Sequence, residues 1–371
     1  MFAFFRSSLY NYHNHSGRNE RPVPHRAKHF AIITQEKKES ELAKLDDIAR
    51  DLGISKGTVS KALNGADDIS EATRKAVLQK AVELGYTRVS KASAGIPICI
   101  FVENMAYRQA EDFGYEIIMG FRQIAEPLGF RPDVIDLTPQ MQREMSYDQY
   151  MLLHGYRAAL FMGLTHVDPW LKGFETCRTP VVLYDNHVVG NPVVAHVGVD
   201  NDEGMRLIVT HLKALGHRKI GYLSTPLGNY VYKQRYRSFF RALYENGLPS
   251  SRTLAGTSPY TAECLNKHLP RLLSQGCTAI VCCNDLLASS VMMHCAELGL
   301  RVPADVSVIG FDDIPMSRYV TPPLTTIRQN RLEIGKSAFY ALSSLINEVR
   351  ISTHLLHAEL VERSSSAQAK K

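Results

Sequence analysis

Lys44-Leu-Asp-Asp-Ile-Ala-Arg-Asp-Leu-Gly-Ile-Ser-Lys-Gly-Thr-Val-Ser-Lys-Ala-Leu-Asn64 reads as two short helices flanking one glycine. Leu45, Ile48, Ala49 and Leu52 recur at the spacing of a single buried helix face. Asp46 and Asp47 fall in the first turn, where negative charge complements the helix dipole. Gly53 supplies the left-handed residue that ends a helix without steric cost. Ile54 fills the corner, and Ser55 is a natural N-cap for the second helix. There Thr58, Val59 and Ala62 face inward, leaving Lys56, Gly57, Ser60 and Lys61 outward. Ala49 is small where the two helices cross.

This is the pattern of a helix-turn-helix, whose second helix enters the DNA major groove with its N-terminal residues at the base edges. The reading residues would be Ser55, Lys56, Gly57, Thr58, Ser60, Lys61 and Asn64, with the two ammonium groups offered to guanine acceptors or phosphates. A plain helical hairpin with solvated lysines is the bland alternative. A third helix follows. Ser70 caps it, Ala72, Ala76, Val77, Ala81 and Leu84 carry its apolar stripe, and Gly85 ends it.

Around this headpiece, 371 residues leave room for a large core. The composition, 45% hydrophobic and 22% charged, is ordinary for a globular chain, and a net charge of +6 suits nucleic acid without requiring it. Seven cysteines form no C-x-x-C pair and have no histidine at zinc spacing, so they read as buried thiols of a reducing, cytoplasmic compartment. No apolar run approaches a membrane span. Residues 1–43 read as a disordered extension, which a start assigned too far upstream would also produce. Met1-Phe-Ala-Phe-Phe-Arg is too short for a signal-peptide core. Residues 44–86 are the headpiece, 87–95 a small-residue basic linker, 96–363 the core, and 364–371 a disordered tail.

From Ile96 short apolar runs alternate with amphipathic segments, the signature of parallel sheets covered by helices. Strands are expected at Ile98–Val102, Phe130–Asp136, Ala158–Met162, Val181–Tyr184, Lys219–Leu223, Ala279–Cys282, Val306–Gly310 and Leu355–Val361. Helices are expected at Tyr115–Leu128, Glu203–Leu215, Tyr232–Glu245, Leu265–Leu273, Asp285–Leu298 and Arg331–Asn347. Two such series predict an α/β core of two doubly wound lobes, with a cleft at the carboxyl ends of the strands.

Five stretches now stand in order: Asp47-Ile-Ala-x-x-Leu-Gly-Ile-Ser-x-x-Thr-Val-Ser60, Leu215-Gly-His-Arg-Lys-Ile-Gly221, Asn284-Asp285, Val306-Ser-Val-Ile-Gly-Phe-Asp-Asp313 and Pro322-Pro-Leu-Thr-Thr-Ile327. In combination, over residues 44–363, the chain resembles the lactose-repressor (LacI/GalR) family of bacterial transcription regulators. The resemblance implies a headpiece, a hinge and a two-lobed core shaped like a periplasmic sugar receptor. It implies a cytoplasmic, nucleoid-associated homodimer that binds near-palindromic double-stranded operator DNA. A small effector in the cleft, a sugar or sugar derivative by family habit, would control that binding, with no cofactor or metal. By position it brings forward Asp185, Arg235, Asn284 and Asp312 as effector ligands, with Tyr107 as an aromatic candidate.

The donor and acceptor chemistry suits a polyhydroxylated ligand, since carboxylates accept, a guanidinium donates as a fork and an amide does both. A nucleobase or amino-acid-like effector stays open, as does induction against corepression. Bland readings stand beside each residue: Asn284 as an N-cap, Asp185 and Asp312 as strand ends, and Arg235 as part of a solvated basic face with Lys233 and Arg237. Phe113, Trp170, Tyr230 and Tyr232 fit core packing as well as a cleft floor.

Two departures mark this chain within the resemblance. The segment Val89-Ser-Lys-Ala-Ser-Ala-Gly95 lacks the leucine that wedges into operators, which predicts less DNA bending. Gly57 has no side chain where a base-reading residue is usual, which shifts discrimination onto Lys56 and Lys61. The rival readings are a solute receptor for uptake, which would need a secretory signal and no headpiece, and a sugar- or nucleoside-processing enzyme. For the enzyme there is no nucleophile elbow, phosphate loop or metal-ligand cluster.

Overall fold

A computed structural model describes residues 43–87 and 95–370. The expectations for residues 1–42 and for most of the linker, its missing leucine included, lie outside the described residues. The headpiece consists of α1 (Leu45–Leu52), α2 (Lys56–Leu63) and α3 (Glu71–Glu83). Gly53 closes α1 at φ 64°, and Ser55 Oγ accepts the Thr58 N–H at 3.0 Å to open α2. Ile48, Ala49, Val59, Ala62, Leu63, Val77, Leu78 and Ala81 make its buried core. The expected stripe on α3 is corrected in part. Ala72, Ala76 and Leu84 are exposed, and Leu78 and Val82 take their place. Alanine costs little on either face, so it marks the stripe poorly.

The first lobe begins with β1 (Ile96–Val102), α4 (Phe113–Ala125), β2 (Phe130–Asp136), α5 (Pro139–Glu144) and α6 (Tyr147–His154). It continues through β3 (Ala159–Met162), α7 (Pro169–Gly173), β4 (Val181–Tyr184) and β5 (Val194–Val199). The second lobe contains α8 (Asn201–Ala214), β6 (Ile220–Ser224), α9 (Tyr230–Glu245), β7 (Ala255–Thr257) and, after a π-helical turn over Cys264–His268, α10 (Leu269–Ser274). It ends with β8 (Ala279–Cys282), α11 (Asp285–Glu297) and β9 (Ser307–Ile309). The chain then passes through β10 (Thr326–Arg328), α12 (Arg331–Ile346), β11 (Thr353–Leu356) and β12 (Glu359–Val361).

The sheets confirm two doubly wound lobes. One is six-stranded and parallel, in the order β11-β5-β4-β3-β1-β2, and the other is four-stranded and parallel, in the order β7-β6-β8-β9. The lobes interleave in sequence. After β10 the chain returns to the first lobe, where α12 packs along α4 and β11 extends the six-stranded sheet. The α4–α12 contact depends on two glycines. A Cβ on Gly120 would lie 2.0 Å from the Leu332 carbonyl oxygen, and one on Gly335 would lie 2.0 Å from that of Ile117. The expected single strand Leu355–Val361 is therefore two strands, β11 in the first lobe's sheet and β12 in an antiparallel ribbon with β10.

The tail expected to be disordered at 364–371 is corrected for Ser364–Ala369. Val308 N–H donates to the Ser365 carbonyl at 2.8 Å, Ser365 Oγ donates back to Val308 O at 2.6 Å, and Ala369 N–H reaches Leu215 O at 2.9 Å. Its serine-rich composition hid an edge held by main-chain bonds, which need no apolar side chain. All seven cysteines are free and buried. No helix among the described residues is long and apolar enough to cross a membrane.

Candidate nucleic-acid interface and ligand cleft

Lys56, Gly57 and Lys61 stand exposed along the outer side of α2, with Ser55 and Asn64 exposed at its two ends. Thr58 and Ser60 are half-buried, and Thr58 bonds Ser55 within the cap. Neither lysine is idle. Lys56 Nζ is 2.8 Å from Asp46 on α1, and Lys61 pairs with Asp68 in the turn before α3. The hydrogen bond from Lys61 holds the Asp68 carboxyl below its ordinary range. Exposed pairs of this kind contribute about 0–1 kcal/mol, so phosphate oxygens or base acceptors can displace the carboxylates. The Asn64 amide is turned back onto the Ser60 carbonyl at 2.8 Å. A Cβ on Gly57 would meet only Ser55 Oγ, at 3.6 Å, so the fold does not require glycine there.

Between the lobes the carboxyl ends of β4, β6 and β8 bring together residues far apart in sequence. Arg235, in the first half of α9, is 2% exposed, which excludes the solvated-face reading; Lys233 and Arg237 beside it are the exposed ones. Its Nε donates to Asn201 Oδ1 at 2.9 Å, and Nη1 donates to Cys283 O at 2.6 Å and to Asp312 Oδ1 at 3.0 Å. The guanidinium carbon lies 3.7 Å from the centroid of the Phe311 ring, a cation–π contact in a desolvated setting.

Gln329 Nε2 also donates to Asp312, at 2.7 Å, while its Oε1 accepts the Tyr184 hydroxyl at 3.0 Å. A hydrogen-bonded chain thus crosses the cleft from Tyr184 at the end of β4 to Asn201 at the start of α8. Burial pushes the Asp312 carboxyl up against the opposing pull of Arg235 and Gln329. Arg235 itself is raised, since the pull of Asp312 and Asp185 outweighs the cost of its burial.

Asp185 follows β4 with φ 54°, and Asp312 has φ 116°. Backbone held in this region by aspartate is strained, and such strain gathers at ligand sites. Burial pushes Asp185 up to about 6, against Arg235. Asn284 serves two purposes. Its Oδ1 caps α11 by accepting Leu287 N–H at 2.9 Å, and its Nδ2 donates to Tyr232 at 3.1 Å. Burial pushes the Tyr232 hydroxyl up to about 12.

Asp312 and Asp313, both at positive φ, turn to different cations. Asp313 pairs with Arg328 at 2.9 Å and with Arg363, and these two hold it below its ordinary range despite its burial.

The cleft also gathers three rings that sequence reading did not assemble. His187 after β4 stacks on Tyr230 at 5.5 Å and 12°, and His196 of β5 meets Tyr230 edge-on at 5.5 Å. Burial, with His187 nearby, pushes the His196 imidazole down to about 4.

Tyr107 is not joined to this group by any hydrogen bond among the described residues. Its hydroxyl donates to Asp136 at 2.8 Å, and Arg108 pairs with the same carboxylate at 2.6 Å. Trp170 is core, 2% exposed and edge-on to Phe101 at 5.5 Å. Phe113 lies 6.4 Å from Tyr184, with Arg331 over its ring. Gln329 and Asn201 escaped sequence reading because an isolated amide carries no pattern, although Gln329 lies two residues beyond the stretch ending at Ile327. A separate cavity of about 300 Å³ lies between α8 and α9. In its lining Asp202 accepts from Arg241 and Ser238.

A helix-turn-helix headpiece with a two-lobed, polar-centred cleft defines a class, the ligand-responsive DNA-binding regulators. Comparison with known proteins agrees. Residues 44–88 match the bacterial regulatory proteins of the lacI family, and residues 209–366 match the periplasmic binding protein-like domain. The HTH-type transcriptional regulator MalR of Streptomyces coelicolor is 31% identical, over 88% of this chain and 97% of the relative. The HTH-type transcriptional repressor CytR of Escherichia coli K12 is 29% identical, over 89% and 98%. Among solved structures, the lac repressor dimer bound to operator and the anti-inducer ONPF superposes with a TM-score of 0.59 at 25% identity, over 88% of this chain and 99% of that one. The CelR–cellobiose complex superposes with a TM-score of 0.60 at 25% identity, over 87% and 100%. The chain belongs to the lacI family of transcription regulators, and it is a DNA-binding regulator built on the lac repressor fold.

Proposed function

We propose that this regulator represses transcription as a homodimer and that a sugar or sugar derivative in the interlobe cleft controls its hold on operator DNA. Ser55, Lys56, Gly57, Thr58, Ser60, Lys61 and Asn64 form the reading edge, and Asp185, Arg235, Asn284 and Asp312 are the polar ligands of the effector. The observation that carries the reading is the buried Arg235 guanidinium flanked by Asp312 and Asp185, two aspartates with positive φ contributed by different lobes. A neutral polyol satisfies such a set, because its hydroxyls both donate to the carboxylates and accept from the guanidinium. Tyr107 enters only as a residue near the first strand's end and is dropped from the ligand set.

An apolar surface on the second lobe supports the dimer. Leu286 and Met293 are exposed one above the other on α11, and the turn holding Met316 and Tyr319 is tied to the start of that helix through Ser317 and Asp285. Tyr319 is 83% exposed, unusual for so large a ring unless a partner covers it. Localisation in the cytoplasm follows from this role.

The test is a thermal-shift screen of monosaccharides and disaccharides on the full chain. Each hit is then tried for its effect on binding to an operator selected from random DNA. A sugar that raises the melting temperature and shifts operator affinity supports the reading, provided Asp185→Asn loses both effects. The stacked His187–Tyr230 pair would also suit a flat heterocycle. Nucleosides that bind while every sugar fails would overturn the sugar assignment.

A further inference from the structure

The headpiece is not held to the core by the linker alone. Leu152, at the end of α6, is buried in the same apolar cluster as Ile48, Val77 and Ala81 of the headpiece, and Leu153 packs on that cluster as well. Beside this seat Arg178, in the loop between α7 and β4, reaches the C-terminus of α3. Its Nη1 donates to Val82 O at 2.8 Å and to Glu83 O at 3.0 Å. Both carbonyls belong to the last turn of α3, which lacks i+4 helical donors, although Val82 O also accepts the Gly85 N–H at 3.1 Å, and a cation there is favoured by the helix dipole as well. Arg178 is itself braced. Asp148, in the first turn of α6, accepts the Arg178 N–H at 3.0 Å and the Thr179 N–H at 2.9 Å.

We infer that Arg178 and Leu152 form a latch that docks the headpiece on its own first lobe and carries the state of the cleft to the DNA-reading helix. The placement of the latch supplies the coupling. Arg178 precedes β4, with Thr179 and Pro180 between them, and Asp185 follows it directly; the four residues of the strand, Val181–Tyr184, are all buried in the centre of the six-stranded sheet. A strand of that length is a rigid rod of about 13 Å. Movement of Asp185 toward or away from Arg235 therefore moves the first lobe as one body, and the headpiece latched to that lobe turns with it relative to the second lobe.

The docked headpiece keeps its reading face free. The latch grips the C-terminus of α3, while Lys56, Gly57 and Lys61 of α2 remain exposed. Docking thus removes orientational freedom that DNA binding would otherwise have to remove, and it favours the operator complex.

The inference rests on the headpiece being a DNA reader, but its first test uses no DNA. Because all seven native cysteines are buried, spin labels can be placed selectively on the full chain at Glu71→Cys and Lys172→Cys, both exposed positions. Pulsed electron resonance should give one narrow distance distribution. It should broaden in Arg178→Ala and, as an independent variant, in Leu152→Gln, with the melting of the core unchanged. A broad distribution in the parent chain, or no broadening in either variant, overturns the latch.

Operator affinity should then fall roughly three- to tenfold in Arg178→Ala, the range expected for a charge-assisted helix cap, with affinity for random DNA unchanged. A latched parent whose operator affinity is indifferent to Arg178 overturns the coupling. A latched parent that selects no operator at all overturns the DNA-reading assignment and the coupling with it, and leaves the docking contact standing.

Discussion

The headpiece and the cleft handle charge in opposite ways. Lys56 and Lys61 are exposed and hold carboxylates in pairs that water already weakens, whereas Arg235 is buried and bonded by three acceptors. The first arrangement suits a polyanion that must be gripped and released, since little is lost when Asp46 and Asp68 give way. The second suits recognition of a small molecule. Groups already stripped of water and held in place interact strongly with whatever completes their hydrogen bonds. Changing the cleft charges should accordingly move stability, and removing the headpiece lysines should cost specificity.

The sharpest break of that contrast is Arg235→Met. It strands Asp312 without its cation, and removing one partner of a buried pair typically costs about 3–5 kcal/mol. Calorimetry should show a markedly lower core transition, with the headpiece still folded. A loss below 1 kcal/mol would mean that the cleft charges are as loosely held as those on the surface.

Asp185 sharpens the same point through pH. Its carboxyl is raised to about 6 in the folded chain against about 3.9 unfolded. Between those values the folded state keeps a proton that the unfolded state has lost, so stability falls as pH rises through the window. The full penalty, reached above pH 6, is at most about 3 kcal/mol. Asp185→Asn should remove that slope and leave the protein more stable at neutral pH, measured by denaturant midpoints from pH 4 to pH 7. An unchanged slope would contradict the buried environment.

On the headpiece side, Lys61→Ala should leave stability within about 0.5 kcal/mol yet relax preference at one base pair by roughly 1–3 kcal/mol. Competition binding against single-base operator variants measures this. An equal fall for operator and random DNA would make Lys61 a phosphate contact. The smallest effect belongs to Asp68→Ala, which releases Lys61 from a solvent-exposed pair with little change in stability and should slightly tighten operator binding in a gel-shift titration. Weaker binding would show that Asp68 positions the lysine instead of competing for it.

The contrast also explains what could be read in the sequence. The headpiece was legible because local rules determine it: the helical period, Gly53 at positive φ and Ser55 as a cap. Strands Phe130–Asp136, Val181–Tyr184 and Ala279–Cys282 were legible to the residue, as short apolar runs between polar turns. Strand β5 was missed because its buried run is broken by His196 and Gly198. The edge formed by Ser364–Ala369 was missed because backbone bonds leave no trace in composition.

At the cleft, Arg235, Asp185, Asn284 and Asp312 were reached through the family resemblance, and the structure brings them together. The connections among them were not readable. Gln329 and Asn201 join the lobes through tertiary placement alone, and the three-ring group needs residues from the loop after β4, from β5 and from α9. Tyr107 has its hydroxyl on Asp136 instead of on the Arg235 group, because proximity to a strand end in sequence does not fix where a side chain bonds.

The central claim is that the cleft and the headpiece share one equilibrium, so that a ligand of the first must change the affinity of the second. The direct measurement is operator binding by the full chain, titrated with and without a saturating amount of the sugar giving the largest thermal shift. The account predicts a change in operator affinity of at least about fivefold, the lower end of ordinary allosteric coupling, that disappears in Asp185→Asn. Operator affinity unmoved by a sugar that demonstrably occupies the cleft would contradict it.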